Sequence, residues 1–364
     1  MAEVKQGIAE GGKTLKQMLE ETAAMTEETG CYAGIIGLKL KEGDPIKYEL
    51  LHSRILSALI AGRETTRMIA ASPIVREVQE LCIALYTPEG HAIATSTGIQ
   101  VHIVPMGEVI QWMIKHDYEE DPGIQEGDLF CCNDNTIAGM HPADVYDITP
   151  IFYKDELVGW TATVIMEIDI GSVSCGPLPS TSNVERFTDG FFACAEKTGT
   201  NDRLRRDFLT RAERTLRYPA MFILDRKGAL AANMKVREEI KRLIDEFGLD
   251  YYKRATRELI EDSRRTQLHR MRQRTVPGRL RNPQYLEIYL KDKPVPAYAR
   301  NDAIRLIPVD IEIKPSGELV IDLEGAGDWG WHSLNTTPTG MYGGLSITLA
   351  MTIAYDGKAN YGTL

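Results

Sequence analysis

The sequence predicts an α+β fold built from helices and mainly antiparallel hairpins. Two observations carry that prediction. Apolar spacing switches back and forth between the helical period and the strand period, without the regular βα alternation of a doubly wound sheet. The strand-like runs also come in pairs, joined by the short turn-forming segments PEG, KDE and KPSGE. With 364 residues, 43% hydrophobic and 26% charged, the chain can bury one large core or two ordinary ones.

Taken in order, about Lys13 to Thr29 reads as an amphipathic helix with Leu15, Met18, Leu19 and Ala23 on one stripe. A second helical region runs from about Tyr48 to Val78, interrupted near Ser72-Pro73. ELCIALYT and HAIATST form a hairpin around PEG. PMGEVIQWMIKHD restores helical spacing from Pro105, with proline in the first turn. GDLFCCND, from Gly127, is a short buried strand, and VYDITPIFY pairs with the long strand LVGWTATVIMEIDIG. The loop from Gly171 to Arg186 is rich in Gly, Ser and Pro, as functional loops often are. Helices dominate from about Asp202 to Arg274, where the many arginines read as a solvated face with subunit contacts. Strands return at QYLEIYL and in the hairpin IRLIPVDIEI, KPSGE, LVIDLEG, before a final helical segment. The expected division is a metal-site region over 1–200, a helical region over 201–280, and a second β-rich region beginning at 281–364.

Composition excludes several classes. A net charge of −10 opposes a general phosphate-binding surface, so nucleic acid is not an expected partner. The apolar stretch from Met341, MYGGLSITLAMTIAY, is shorter than the ~20 residues a membrane helix needs. The start MAEVKQGIAEGG has no apolar export segment. The six cysteines fall at no zinc-finger or CxxC spacing, which fits reduced thiols in a cytoplasmic protein.

GIAEGGKT, Gly7 to Thr14, matches the Walker A pattern letter for letter. A phosphate loop needs a buried strand delivering its glycines to a helix N-terminus. Only the polar MAEVKQ precedes Gly7, so a terminus capped onto a helix is the reading, with ATP handled elsewhere.

The informative window is NDNTIAGMHPADVYDITPIF. HPAD, His141 to Asp144, suits a type I turn, which holds its first and fourth Cα atoms within ~7 Å. One divalent cation could therefore bind both His141 and Asp144. Asp134, after the preceding strand, could reach the same space, and Glu167 and Asp169 in MEID would share one face of a strand. Imidazole with carboxylates suits Mn, Fe or Zn rather than Ca. Spacing alone leaves the alternative of a hydrogen-bonded His–Asp pair, and of an edge strand with solvated acids. His102 and His332 are each either a proton-transfer group for ketone chemistry or a hydrogen-bonded structural histidine.

GRETTRMIAASPIVREVQELCIALY, STGIQVHIVPMG, the ND…HPAD…PIF window, LVGW, IDIGS and DWGWH resemble the alpha subunits of acetone carboxylase-type enzymes, in the hydantoinase B/oxoprolinase family. The likeness runs in order from about Gly7 to Leu364. It implies a hydantoinase B-like fold and the N-terminal half of a subunit roughly twice as long. It also implies an ATP-dependent, carbon–carbon bond-forming ligase that joins a ketone-derived enolate to CO2 or bicarbonate, giving a 3-oxo acid. The implied partners are a hydantoinase A-like beta subunit that uses ATP and a small gamma subunit, assembled as a dimer of heterotrimers. The implied metal is Mn, with Zn or Fe as alternatives. Relatives acting on aromatic ketones such as acetophenone, ATP-dependent hydantoinases, and a non-catalytic alpha-like scaffold are the alternatives.

In that family the ligands implied are the His and Asp of the HPxD turn plus a His three residues before the strand-end Asp. His141 and Asp144 match the first two, and the third position falls on Met166. A thioether is a poor ligand for a hard cation. Either Glu167 substitutes through a local bulge, or the site takes a different metal, or it has lost metal.

Overall fold

The computed structural model describes residues 7–176, 185–293, 295–332, 334–353, 355 and 358–363. The chain starts with helices α1 (Leu15–Thr29), α2 (Lys39–Gly43) and α3 (Pro45–Ile69). Strands β1 (Leu81–Tyr86) and β2 (Ala92–Thr95) follow, then α4 (Ile103–Lys115) and β3 (Leu129–Cys132). The long hairpin is β4 (Asp144–Tyr153) with β5 (Glu156–Met166), and a short one is β6 (Glu196–Thr200) with β7 (Arg203–Leu204). Helices α5 (Arg206–Thr215), α6 (Pro219–Phe247) and α7 (Leu249–Arg274) come next. The last elements are β8 (Gly278–Ile288), β9 (Ala303–Ile313), β10 (Leu319–Asp322) and α8 (Pro338–Thr352).

β1 to β7 make one seven-stranded sheet in the order β2-β1-β5-β4-β3-β6-β7, every described pair antiparallel. β8 to β10 make a separate three-stranded antiparallel sheet. The class is α+β, as the hairpin signals predicted. The large sheet is covered on both faces, and strand alternation decides which residue goes where. Cys82, Ala84 and Tyr86 of β1 pack with α1 and α4. Ile83 and Leu85, on the other face, pack with α3, α6 and α7. β1 is therefore buried along its whole length, which explains its unbroken apolar run. Burying each Leu or Ile here is worth roughly 1.5–3 kcal/mol. Helices α3 and α6 approach closely at Gly62, where an added Cβ would stand 2.8 Å from Val236 Cγ2.

The N-terminal segment settles the Walker-like pattern. Thr14 caps α1 in a reciprocal box: its hydroxyl accepts from Gln17 N–H, and the Gln17 amide oxygen accepts from Thr14 N–H. The Glu119 carboxylate accepts from Ile8 N–H at 2.9 Å and Leu15 N–H at 2.8 Å. A carboxylate of the protein itself thus takes two of the amides that a phosphate would need.

The structure differs from the sequence reading in places. α4 begins two residues before Pro105, leaving His102 as the residue that caps it. β5 ends at Met166 rather than running on to Gly171, so Glu167 and Asp169 lie beyond the ladder and do not share a strand face. The β6–β7 hairpin opens the region read as helical. Its signal was the Asn201-Asp202 pair, both at positive φ (50° and 58°), as hairpin turns with two left-handed residues require. Residues 177–184 of the Gly171–Arg186 loop lie outside the described residues. Among the described residues no helix is long and apolar enough to cross a membrane.

Candidate functional site

The HPAD segment forms the expected turn: Asp144 N–H donates to the His141 carbonyl at 3.0 Å. Asp144 is then the first residue of β4, so the turn and the ladder together fix its side chain. Its carboxyl is buried and meets two imidazoles. His141 Nδ1 lies 3.5 Å from one oxygen, and His102 Nε2 lies 3.5 Å from the other. Tyr146, two residues along β4, contacts His102 Nδ1 through its hydroxyl at 3.1 Å. With Nδ1–H donating to that hydroxyl, the Nε2 lone pair of His102 faces Asp144, the arrangement by which outer partners orient ligating histidines.

Burial dominates the electrostatics. It holds the Asp144 carboxyl well above the usual carboxylate range. It pushes His102 down to about 3, with nearby His141 adding to the effect, and His141 down to about 4. All three groups are held toward their neutral forms, and a cation would reverse that preference for the carboxyl. Two buried atoms here, His141 Nδ1 and Asp144 Oδ2, make no hydrogen bond. Orphaned buried polar atoms are uncommon and call for an occupant. Among the described residues no three His, Cys, Asp or Glu side chains stand gathered as a finished metal cage. The donor types nevertheless fit a borderline divalent ion: two imidazoles and one carboxylate, with two atoms unsatisfied.

The other predicted acids are engaged elsewhere. Asp134 accepts from Thr136 N–H and hydroxyl with one oxygen, and from Arg186 at 2.8 Å with the other. Glu167 is fully buried against Arg226 at 2.5 Å, which also pairs with Asp147. Its backbone N–H donates to Ala143 O, so it braces the turn from behind. Asp169 accepts from Arg217 at 3.0 Å and from the amides of Gly171 and Gly176. These three carboxylates are neutralised by arginines that the spacing arguments left out. The missed signal is general: a buried acid demands a cation, and Arg186, Arg217 and Arg226 were the candidates.

His332 is not beside His102 but shares a cavity with His141. That cavity, of about 460 Å³, is bordered also by Asn135, Arg186, Phe187, Trp329 and Trp331. The structure therefore separates the two histidines first grouped as proton-transfer candidates. His102 sits behind the carboxyl, and His332 lies on a cavity wall.

The chain is similar to known proteins along its whole length. The chain is 36% identical over 371 residues to the acetone carboxylase alpha subunit of Xanthobacter autotrophicus, covering all of this chain and 48% of that one. It is 28% identical over 180 residues to the acetophenone carboxylase delta subunit of Aromatoleum aromaticum, covering 49% of this chain and 26% of that one. A solved nucleotide-free structure of acetone carboxylase superposes with a TM-score of 0.95 at 35% identity, over 98% of this chain and 47% of that one. This chain thus spans about half the length of the acetone carboxylase subunit it matches. The hydantoinase B/oxoprolinase family profile matches residues 44–364, and the chain belongs to that family.

Proposed function

We propose that this chain carries the metal-site half of one subunit of a cytoplasmic, ATP-dependent ketone carboxylase, which joins a ketone-derived enolate to CO2 or bicarbonate to give a 3-oxo acid. The observation that carries the reading is the row His102–Asp144–His141, two imidazoles on one buried carboxyl with two unsatisfied atoms beside a cavity. The full-length likeness to an acetone carboxylase alpha subunit supports the reaction class.

In this reading His102, His141 and Asp144 hold a divalent cation, Mn or alternatively Zn or Fe. When bound, that ion supplies Lewis acidity toward the developing enolate oxygen. The chain's own residues do the rest. Tyr146 fixes the His102 ring, and the HPAD turn fixes His141 against the cavity. Burial excludes water from Asp144 and His102, which strengthens every electrostatic contact made there. His332 borders the same cavity, its imidazole held toward the neutral form by burial and by Arg305, and in this reading it passes a proton to or from substrate.

Nucleotide chemistry falls to a hydantoinase A-like beta subunit, since Glu119 occupies the only loop here with a phosphate-binding pattern among the described residues. A small gamma subunit completes the assembly as a dimer of heterotrimers. The test is reconstitution with the partner subunits, followed by metal analysis and ketone- and bicarbonate-dependent ATP hydrolysis. His141→Ala is expected to lose both metal and carboxylation, and full retention of both defeats the assignment. The family's hydantoinase name favours one second reading, cleavage of a cyclic amide. Turnover without bicarbonate would select it.

A further inference from the structure

Helix α6 reaches the β4–β5 hairpin with two fully buried polar side chains, Arg226 and Asn233. Seven residues apart, they stand two turns apart on one side of the helix. Asn233 Nδ2 donates to the Asp147 carbonyl at 3.0 Å and to the Thr149 hydroxyl at 3.3 Å. Its amide oxygen accepts from the hydroxyls of Thr161 at 3.3 Å and Thr163 at 2.7 Å. Both strands of the hairpin are thus tied to α6, which fixes where Arg226 meets the start of β4.

Arg226 Nη1 donates to the Asp147 carboxylate at 2.5 Å and to the Val145 carbonyl at 3.4 Å. Its Nη2 donates to Glu167 at 2.5 Å, and the Glu167 N–H donates in turn to the Ala143 carbonyl at 2.8 Å. Ala143 and Val145 are the two chain neighbours of Asp144. One guanidinium therefore holds the carbonyl after Asp144 directly and the carbonyl before it through Glu167.

Side chains alternate along β4, so Val145 and Asp147 project toward α6 while Asp144 and Tyr146 project to the opposite face. The packing agrees: Val145 clusters with Phe222 of α6, and Tyr146 with Met106 and Val109 of α4. Arg226 stands across the sheet from the row His102–Asp144–His141, so its influence on that row runs through the backbone. Neutralising two acids does not by itself explain the arginine, because a buried ion pair is often no more stable than an apolar replacement. A planar fork adds what an apolar side chain lacks, fixed donor directions that set the Val145 carbonyl and the Glu167 carboxylate relative to each other.

Resting on the metal reading proposed above, we propose that Arg226 is a positioning residue for that site. It fixes the Ala143–Asp144–Val145 backbone so that the Asp144 carboxyl is presented between His102 and His141.

The test compares the 364-residue chain with Arg226→Lys and with Arg226→Met combined with Asp147→Asn and Glu167→Gln. The triple variant removes the buried charges together, and urea unfolding shows whether its stability matches that of the parent. Mn2+ affinity is read by calorimetry, and backbone hydrogen exchange by mass spectrometry over residues 141–147 and, as a control, 81–86. The triple variant should bind Mn2+ about tenfold or more weakly. Its 141–147 amides should exchange about tenfold faster, with those of 81–86 unchanged. Arg226→Lys, which keeps the charge but not the fork, should also bind Mn2+ more weakly than the parent. Parent affinity in the triple variant overturns the proposal, and so does parent affinity in Arg226→Lys if the triple variant does not fold. The two readings fail separately. A parent that binds no Mn2+ removes the metal site and this proposal with it, whereas equal binding by parent and triple variant removes only the role of Arg226.

Discussion

Asp144 and Met166 lie directly opposite one another across the β4–β5 ladder. Residues so paired project to the same side of the sheet with Cβ atoms ~4.5–5.5 Å apart. The family resemblance implies an imidazole at position 166, and that position is the cross-strand neighbour of the buried carboxyl. In the site proposed above the second imidazole on that carboxyl is His102, just ahead of α4, whose Nε2 lies 3.5 Å from it. Met166→His should then add a donor to an existing set and raise Mn2+ affinity about tenfold, while His102→Gln should lower it about tenfold or more. Isothermal titration calorimetry on the three proteins checks both, and unchanged affinity in His102→Gln would remove it from the ligand set.

Arg226 is the largest fully buried charged side chain among the described residues and lies between Asp147 and Glu167. Burial raises both acids, Asp147 to about 7 and Glu167 to about 8, with Arg226 opposing the shift. Deleting the guanidinium leaves two buried acids uncompensated. Arg226→Met should cost about 3–5 kcal/mol in urea unfolding. Adding Asp147→Asn and Glu167→Gln to Arg226→Met should recover most of that loss, because the interior then holds no unpaired charge. No recovery would show that packing of the long side chain, not charge, is what matters.

Much of this was readable in advance, and the boundary is physical. The HPAD turn was legible because proline and four consecutive residues decide it locally, and the observed His141–Asp144 hydrogen bond follows from that. The hairpins were legible from period and turn chemistry. His102 was not legible as a partner of Asp144, since forty residues and a sheet crossing separate them, and spacing carries no information at that range. The acids Asp134, Glu167 and Asp169 misled for the same reason: their arginines come from distant loops and helices. β5 was read as too long because apolar alternation in MEIDIG continues past the point where its ladder partner begins at Asp144.

His91 gives the chain a pH dependence of defined sign. It is buried, touches the Tyr32 hydroxyl at 2.9 Å, and stacks on Tyr361 at 4.1 Å. Burial lowers it to about 4; Glu89 opposes that shift, while Arg257 and Lys115 add to it. Between the ordinary histidine value and about 4, the unfolded chain binds a proton that the folded chain refuses. The contribution of His91 is therefore fully present above the ordinary value and is lost as pH falls toward 4, by roughly 3 kcal/mol in all. His91→Gln should flatten the stability curve in that window, measured by urea unfolding at several pH values. A variant that loses stability as steeply as the parent would locate the acid sensitivity elsewhere.

Glu119 decides what the Walker-like segment does. Its carboxylate accepts the amides of Ile8 and Leu15, on either side of Gly11 and Gly12, and so ties the segment to the loop after α4. If this is a structural clamp, Glu119→Ala should free residues 7–14 for cleavage by a nonspecific protease and cost about 1–3 kcal/mol, with α1 otherwise intact. Glu119→Gln keeps one acceptor and should fall between. ATP should leave the cleavage rate unchanged in parent and variants alike, because backbone carbonyls within the segment already accept the Gly7, Ala9, Gly12 and Lys13 amides that an anion would need. Protection of the Glu119→Ala segment by ATP would reverse that reading and return the motif to nucleotide binding.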